Sequence, residues 1–131
     1  MRITGSCFCK QIRYSATIDP KTVTICHCTD CQINSGTAYG VVVGVTNEEF
    51  ILEAGELTYF EKIADSGARR SLAFCSTCGT RVYAKPAGEK PGRFGIRVGT
   101  VDQRGSLIPK QQAWFNSALN WVADIRNLKK I

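Results

Sequence analysis

The chain has no long apolar run. After Met1-Arg2-Ile3-Thr4 nothing approaches the roughly 20 consecutive apolar residues a membrane span requires, so neither a span nor a secretory leader is expected. It lacks an even number of cysteines: there are seven. Most stand in pairs too close in sequence to bridge each other easily, which argues against a disulfide framework. Its one histidine, His27, does not begin an H-x-E motif, and no P-C-x-x-C follows, so a zinc deaminase is excluded. There is no internal repeat and no low-complexity segment. Cysteine-rich yet poorly suited to disulfides, the protein is expected in a reducing cytoplasm.

What is present suits a single domain over residues 1–131: 131 residues at 44% hydrophobic can enclose one sizeable core and no more. The formal charge is +6, but apart from Arg126, Lys129 and Lys130 the cations are scattered. That pattern is a solvated basic surface, not a nucleic-acid stripe, and it leaves room for an anionic small substrate.

The cysteines divide as three and four. Cys26-His27-Cys28-Thr29-Asp30-Cys31 has the spacing C-x-C-x-x-C, able to place three thiolates around one ion. Four protein ligands close a structural zinc site, whereas three leave a position for water or substrate. Cys7-Phe8-Cys9 and Cys75-Ser76-Thr77-Cys78 together make a closed four-thiolate set joining the start of the chain to its middle. Two zinc ions per chain are therefore expected, one structural and one reactive. The competing reading of the trio is a second structural zinc completed by His27, Asp30 or another side chain. His27, between two ligands, is expected to point away from the ion.

The rest of the pattern is that of an all-β domain of short antiparallel strands. Gln11 to Ile18 alternates, with Ile12, Tyr14, Ala16 and Ile18 on one face and Gln11, Arg13, Ser15 and Thr17 on the other. Asp19-Pro20-Lys21 turns the chain, and a short strand from Thr22 to Ile25 delivers Cys26. Thr37 to Thr46 alternates again, with Gly40 and Gly44 on the face opposite Tyr39, Val41, Val43 and Val45, where something approaches the backbone closely. Further strands are expected at Phe50-Leu52, Leu57-Ile63, Arg69-Phe74, Arg81-Ala84 and Phe94-Val101. Turns fall at Ala64-Gly67, and an exposed loop at Lys85-Gly92. Ser117 to Leu128 has a weak helical pattern with Ser117 as its cap, so at most a short C-terminal helix is expected. Trp114 and Trp121 are expected to cover the core.

Several motifs resemble one family. Gly5-Ser6-Cys7-Phe8-Cys9 with Ile12 and Tyr14, Cys26-His27-Cys28-x-x-Cys31 with Ser35-Gly36, Phe74-Cys75-x-x-Cys78-Gly79-Thr80, Gly99-Thr100-Val101-Asp102, and Ser117 with Trp121 are similar to the glutathione-dependent formaldehyde-activating enzymes. The resemblance implies several coiled β-sheets, as in the zinc-binding methionine sulfoxide reductases. It also implies a structural zinc at Cys7, Cys9, Cys75 and Cys78 and a catalytic zinc at Cys26, Cys28 and Cys31. The chain departs from the family at Lys10, where glycine is common, and at Gln32-Ile33-Asn34, where basic residues are common.

A three-thiolate zinc is electron-rich, a weaker acidifier of water than a zinc on neutral histidines, and better suited to hold an ionised thiol. The function expected is a carbon–sulfur lyase or thiol–aldehyde adduct-forming enzyme, like S-(hydroxymethyl)glutathione synthase. Its partners would be a thiol such as glutathione and a carbonyl compound, with Ser35 and Gly36 near the substrate. A thioredoxin-like protein would need a βαβ context that is missing. A methionine sulfoxide reductase would need a reactive cysteine after Cys78, and none follows. The remaining alternative is a non-catalytic, zinc-stabilised binding module.

Overall fold

In the computed structural model, which describes residues 1–88 and 92–131, ten strands form two sheets. The first contains β1 (Arg2–Ser6), β2 (Arg13–Thr17) and β5 (Phe50–Ala54), all antiparallel and in that order. The second adds β3 (Thr24–Cys26), β4 (Gly40–Thr46), β6 (Thr58–Ile63), β7 (Arg69–Phe74), β8 (Arg81–Pro86), β9 (Arg93–Arg97) and β10 (Gln111–Ala113). Its order is β10-β3-β4-β9-β8-β7-β6. The all-β expectation is borne out, with one correction to its antiparallel character: β10 lies parallel to β3. A short edge strand can add in that sense because it arrives from the end of the chain, not through a hairpin.

The alternation read along Gln11–Ile18 holds. Ile12, Tyr14, Ala16 and Ile18 are buried, while Gln11, Arg13 and Thr17 are exposed. Ser15 departs from it and is buried, because its hydroxyl donates to Glu53 Oε1 at 2.6 Å across the β2–β5 pair. Leu72, Ala73, Val82, Phe94 and Ile96 are buried on the larger sheet. The aromatic centre consists of Tyr14 stacked on Phe50 at 5.2 Å, with Tyr83 and Phe94 edge-on to Phe50. Rings at such separations add to the stabilisation their buried area provides.

Trp114 and Trp121 are not part of that core. They are 68% and 56% exposed, since Tyr14, Phe50, Tyr83 and Phe94 already fill the centre. The C-terminal segment does form no more than a short helix, as expected, but Ser117 does not cap it. It is a run of 3-10 turns over Asn120–Asn127, entered from Leu119 without a side-chain cap. At three residues per turn Leu119, Val122 and Ile125 share one face, yet none of them is buried.

The helix the sequence pattern does not announce is α1 (Thr29–Ser35). It starts within the cysteine motif: Cys28 is its N-cap, with Sγ accepting from Cys31 N–H at 3.2 Å. Gly36 closes it at φ 68°, the left-handed conformation that glycine adopts without strain. Seven residues are too few for a periodic signal, and the motif is the reason the helix exists. The loop expected at Lys85–Gly92 begins only after Pro86, where β8 ends; residues 89–91 lie outside the described part.

Candidate metal centres and the adjoining cleft

Two knuckle-shaped turns build the four-cysteine group. In the first, Cys7 N–H donates to Ile12 O at 3.1 Å, Lys10 N–H to Cys7 O at 3.0 Å, and Ile12 N–H to Cys7 Sγ at 3.3 Å. In the second, Cys75 N–H donates to Thr80 O at 3.0 Å and Gly79 N–H to Cys75 O at 2.8 Å. A register shift between Ala73 and Phe74 bends the end of β7 into this second turn, as a bulge does. The Thr80 hydroxyl bridges the two turns: it accepts from Phe8 N–H at 3.0 Å and lies 3.2 Å from Cys78 Sγ. That hydroxyl is the main reason the Cys78 thiol is pulled down to about 5.

The four sulfurs converge. Cys7 and Cys9 Sγ are 3.5 Å apart, Cys9 and Cys75 Sγ 3.8 Å, and all four lie within 4.8 Å of one another. Cys7 and Cys75 are buried at the junction of the two sheets. This group can hold a metal ion.

Lys10 shows what the first knuckle demands. Its φ is +65°, a conformation that costs a residue with a Cβ roughly 1–2 kcal/mol. Lys10→Gly is expected to relieve that strain while loosening the unfolded chain, for a net gain of about 0.5 kcal/mol and a rise of about 2 °C in Tm. A thermal melt decides it, and a fall in Tm would mean the lysine side chain stabilises the knuckle by other contacts.

The second group is Cys26, Cys28 and Cys31, whose sulfurs also lie within 4.8 Å of one another. Cys26 ends β3, Cys28 caps α1 and Cys31 sits in its first turn, so strand end and helix start aim all three inward. Hydrogen bonding between the Cys26 and Cys31 sulfurs pushes the first thiol up and the second down, to about 5 for Cys31. The Cys28 sulfur and the Arg97 guanidinium lower Cys31 further, against the opposing effect of burial.

Among the described residues no fourth His, Cys, Asp or Glu joins this trio. Both candidates are engaged elsewhere. Asp30 forms an ion pair with Lys62 at 2.6 Å. His27 is fully buried, with Nε2 2.7 Å from Gln112 Oε1, a partner that assigns the proton to Nε2. Its backbone N–H donates to Ala113 O at 3.0 Å, and its ring meets Tyr39 and Phe115 edge-on. His27 thus fastens the cysteine turn to β10. Gln32 adds a second tie, its amide donating to His27 O and Ser117 O at 2.9 and 3.0 Å.

A cleft of about 940 Å³ opens beside Cys7 of the first group, and its lining reaches Gly40 and Arg97, the neighbours of Cys31 in the second. At one end it is lined by Cys7, Phe8 and Thr80; at the other by Ser35, Gly40 and Arg97, and a Cβ built on Gly40 would touch Cys31. Lys10, Arg81, Arg97 and Arg104 face it against the single acid Asp102. Ser35 is at the rim, its hydroxyl donating to Tyr39 O at 3.2 Å, while Gly36 serves as the helix cap and does not line the cleft. The cleft arginines were not legible in the sequence. The glycine pattern marks Gly40 as a place of close approach, but nothing local points to Arg97 as the group approaching it.

Compared with known proteins, the chain matches the family described as glutathione-dependent formaldehyde-activating enzyme over residues 2–117. It belongs to that family. The match takes in both cysteine groups and the cleft and ends before the C-terminal 3-10 run. Among solved structures, it is similar to a crystal structure of a Rhodobacter sphaeroides protein. The two share 16% identity over 84% of this chain and 99% of that one, with a TM-score of 0.65, a likeness of fold. No protein in a search of curated proteins matches the chain significantly. No helix among the described residues is long and apolar enough to cross a membrane.

Proposed function

We propose that the protein is a zinc-dependent enzyme that joins a thiol to an aldehyde, or cleaves the carbon–sulfur bond so formed, with glutathione and formaldehyde as the pair its family indicates. The observation that carries this reading is the trio itself: three convergent cysteine sulfurs, no fourth residue ligand among the described residues, and a cationic cleft nearby. The donor set fits zinc. Bonds to sulfur of about 2.3 Å around a tetrahedral ion imply sulfurs about 3.8 Å apart. The 3.5 and 3.8 Å separations in the four-cysteine group match that spacing. There Cys7, Cys9, Cys75 and Cys78 would hold a structural ion, and Cys26, Cys28 and Cys31 the reactive one. A zinc ion on the trio would supply a position at which a thiol ionises near neutral pH.

The chain's own groups then divide the work. Arg81, Arg104 and Lys10 suit the carboxylates of a peptide thiol, and bidentate arginines give such recognition direction. The buried His27–Gln112 pair keeps the cysteine turn from shifting. In the forward direction the ionised sulfur attacks the aldehyde carbon. A C–S bond forms, the carbonyl π bond breaks, and the oxygen takes up the proton the thiol released. Reversal expels the thiolate from the adduct.

Cobalt in place of zinc makes the thiol visible through sulfur-to-metal absorption. Titrating glutathione into the cobalt protein is expected to give a saturable new absorption. A simple uncharged thiol should do the same at concentrations about tenfold higher, because it lacks the carboxylates. No change at any thiol concentration would mean the trio is closed, and the enzyme reading fails. Thiol binding with no turnover of formaldehyde adducts would leave a binding module instead.

A further inference from the structure

Arg97 ends β9 opposite Val42 of β4, and its guanidinium leans diagonally along the strand over Gly40. Nη1 is sealed from solvent and has no hydrogen-bond partner. A Cβ at Gly40 would lie 2.5 Å from that nitrogen and 3.6 Å from Cys31 Cβ. The missing side chain, the arginine nitrogen and the ligand cysteine therefore share one small space. Arg97 also lines the cleft. Its backbone is fixed as well: the Thr100 hydroxyl donates to Arg97 O at 2.8 Å and pairs with Tyr14 Oη at 2.7 Å. A buried charged donor without an acceptor is rare in a folded protein and calls for a negative partner.

We infer that Arg97 is the counter-charge of the three-cysteine centre, a positioning residue whose guanidinium beside Cys31 allows an ionised thiol substrate to join three thiolates at one point. The inference rests on the thiol-binding reading and deepens it. Three thiolates around a divalent ion leave a formal charge of about −1, and a fourth thiolate makes it about −2. In a partly dry corner such an accumulation is strongly resisted, because water no longer screens it. The acid nearest in sequence, Asp30, is already neutralised by Lys62. A fixed guanidinium at Gly40 offsets one charge at the place where it gathers. Gly40 belongs to the same device, since any side chain there would displace Nη1.

The test uses 2-mercaptoethanol, an uncharged thiol without carboxylates, so that recognition of substrate carboxylates plays no part. It is titrated into cobalt-loaded wild type, Arg97→Met, Arg97→Lys and Gly40→Ala, with metal content measured in each. Arg97→Met is expected to weaken the sulfur-to-cobalt signal by about tenfold or more in affinity, the usual weight of a charge-assisted hydrogen bond. Arg97→Lys should recover most of it. Gly40→Ala, which keeps the charge but moves it, should fall between. Loss of the trio's metal from Arg97→Met but not from Arg97→Lys supports the same role. Loss from both would overturn it in favour of simple packing. Uncharged thiol binding equally to wild type and Arg97→Met overturns it too, and a selective loss of glutathione preference would then make Arg97 a carboxylate receptor. A wild type that shows no sulfur signal at all is a different result: it sinks the functional reading itself.

Discussion

Cys75→Ser is expected to destabilise the protein on the order of 4 kcal/mol or more, lowering Tm by at least about 15 °C. The residue is buried at the turn between β7 and β8, and its sulfur lies 3.8 Å from that of Cys9, which is 66 residues away in sequence. The four-cysteine group therefore fastens the N-terminal knuckle, which joins β1 and β2 of the smaller sheet, to the β7–β8 turn of the larger one. A metal ion held there would contribute to folding directly, because no such site exists in the unfolded chain. Serine nearly conserves the volume but is a poor ligand, so the packing survives and the tie does not. Thermal melts with and without a strong chelator check this: the chelator should lower the parent's Tm toward that of the variant. A variant melting within a few degrees of the parent would show that the two sheets hold together without the metal.

Cys28→Ser is expected to do the opposite. The protein should stay folded, with Tm within about 5 °C of the parent, while metal content falls from two ions to one and activity is lost. The local reason is the double role of Cys28. Besides its place in the trio, its sulfur caps α1 by accepting from Cys31 N–H at 3.2 Å. Serine is among the best N-cap residues, so the helix start is preserved when the ligand is removed. His27, held by Gln112 and Ala113, keeps the turn in place besides. Elemental analysis alongside the melts separates the outcomes. Should Cys28→Ser unfold the protein and Cys75→Ser merely silence it, the structural and reactive assignments would have to be exchanged.

Much of the fold was legible because strands declare themselves locally. The alternation from Ile12 to Ile18 and the run Arg69–Phe74 correspond to observed strands, the latter residue for residue. The failures share a cause. The helix Thr29–Ser35 is shorter than two helical periods and is started by a cap whose side chain is also a sulfur of the trio, so no apolar pattern marks it. Trp114 and Trp121 carry the composition of core residues, but burial depends on space, and other rings had taken it. β10 pairs with β3 across a separation that no short-range pattern encodes.

The sequence by itself determined the grouping of sulfurs within each motif, because C-x-C and C-x-x-C spacing brings side chains together through a single turn of backbone. It also determined the class of fold, since period-two burial suits little else. Only the tertiary structure decided which turns meet, why the trio remains three, and what charge stands beside it. Cys9 reaches Cys75 across 66 residues and His27 reaches Gln112 across 85. Lys62 removes Asp30 from contention, and Arg97 settles over Gly40. Each of these contacts depends on strand order and register in the larger sheet, set by the packing of the whole core and not by any neighbourhood of the chain.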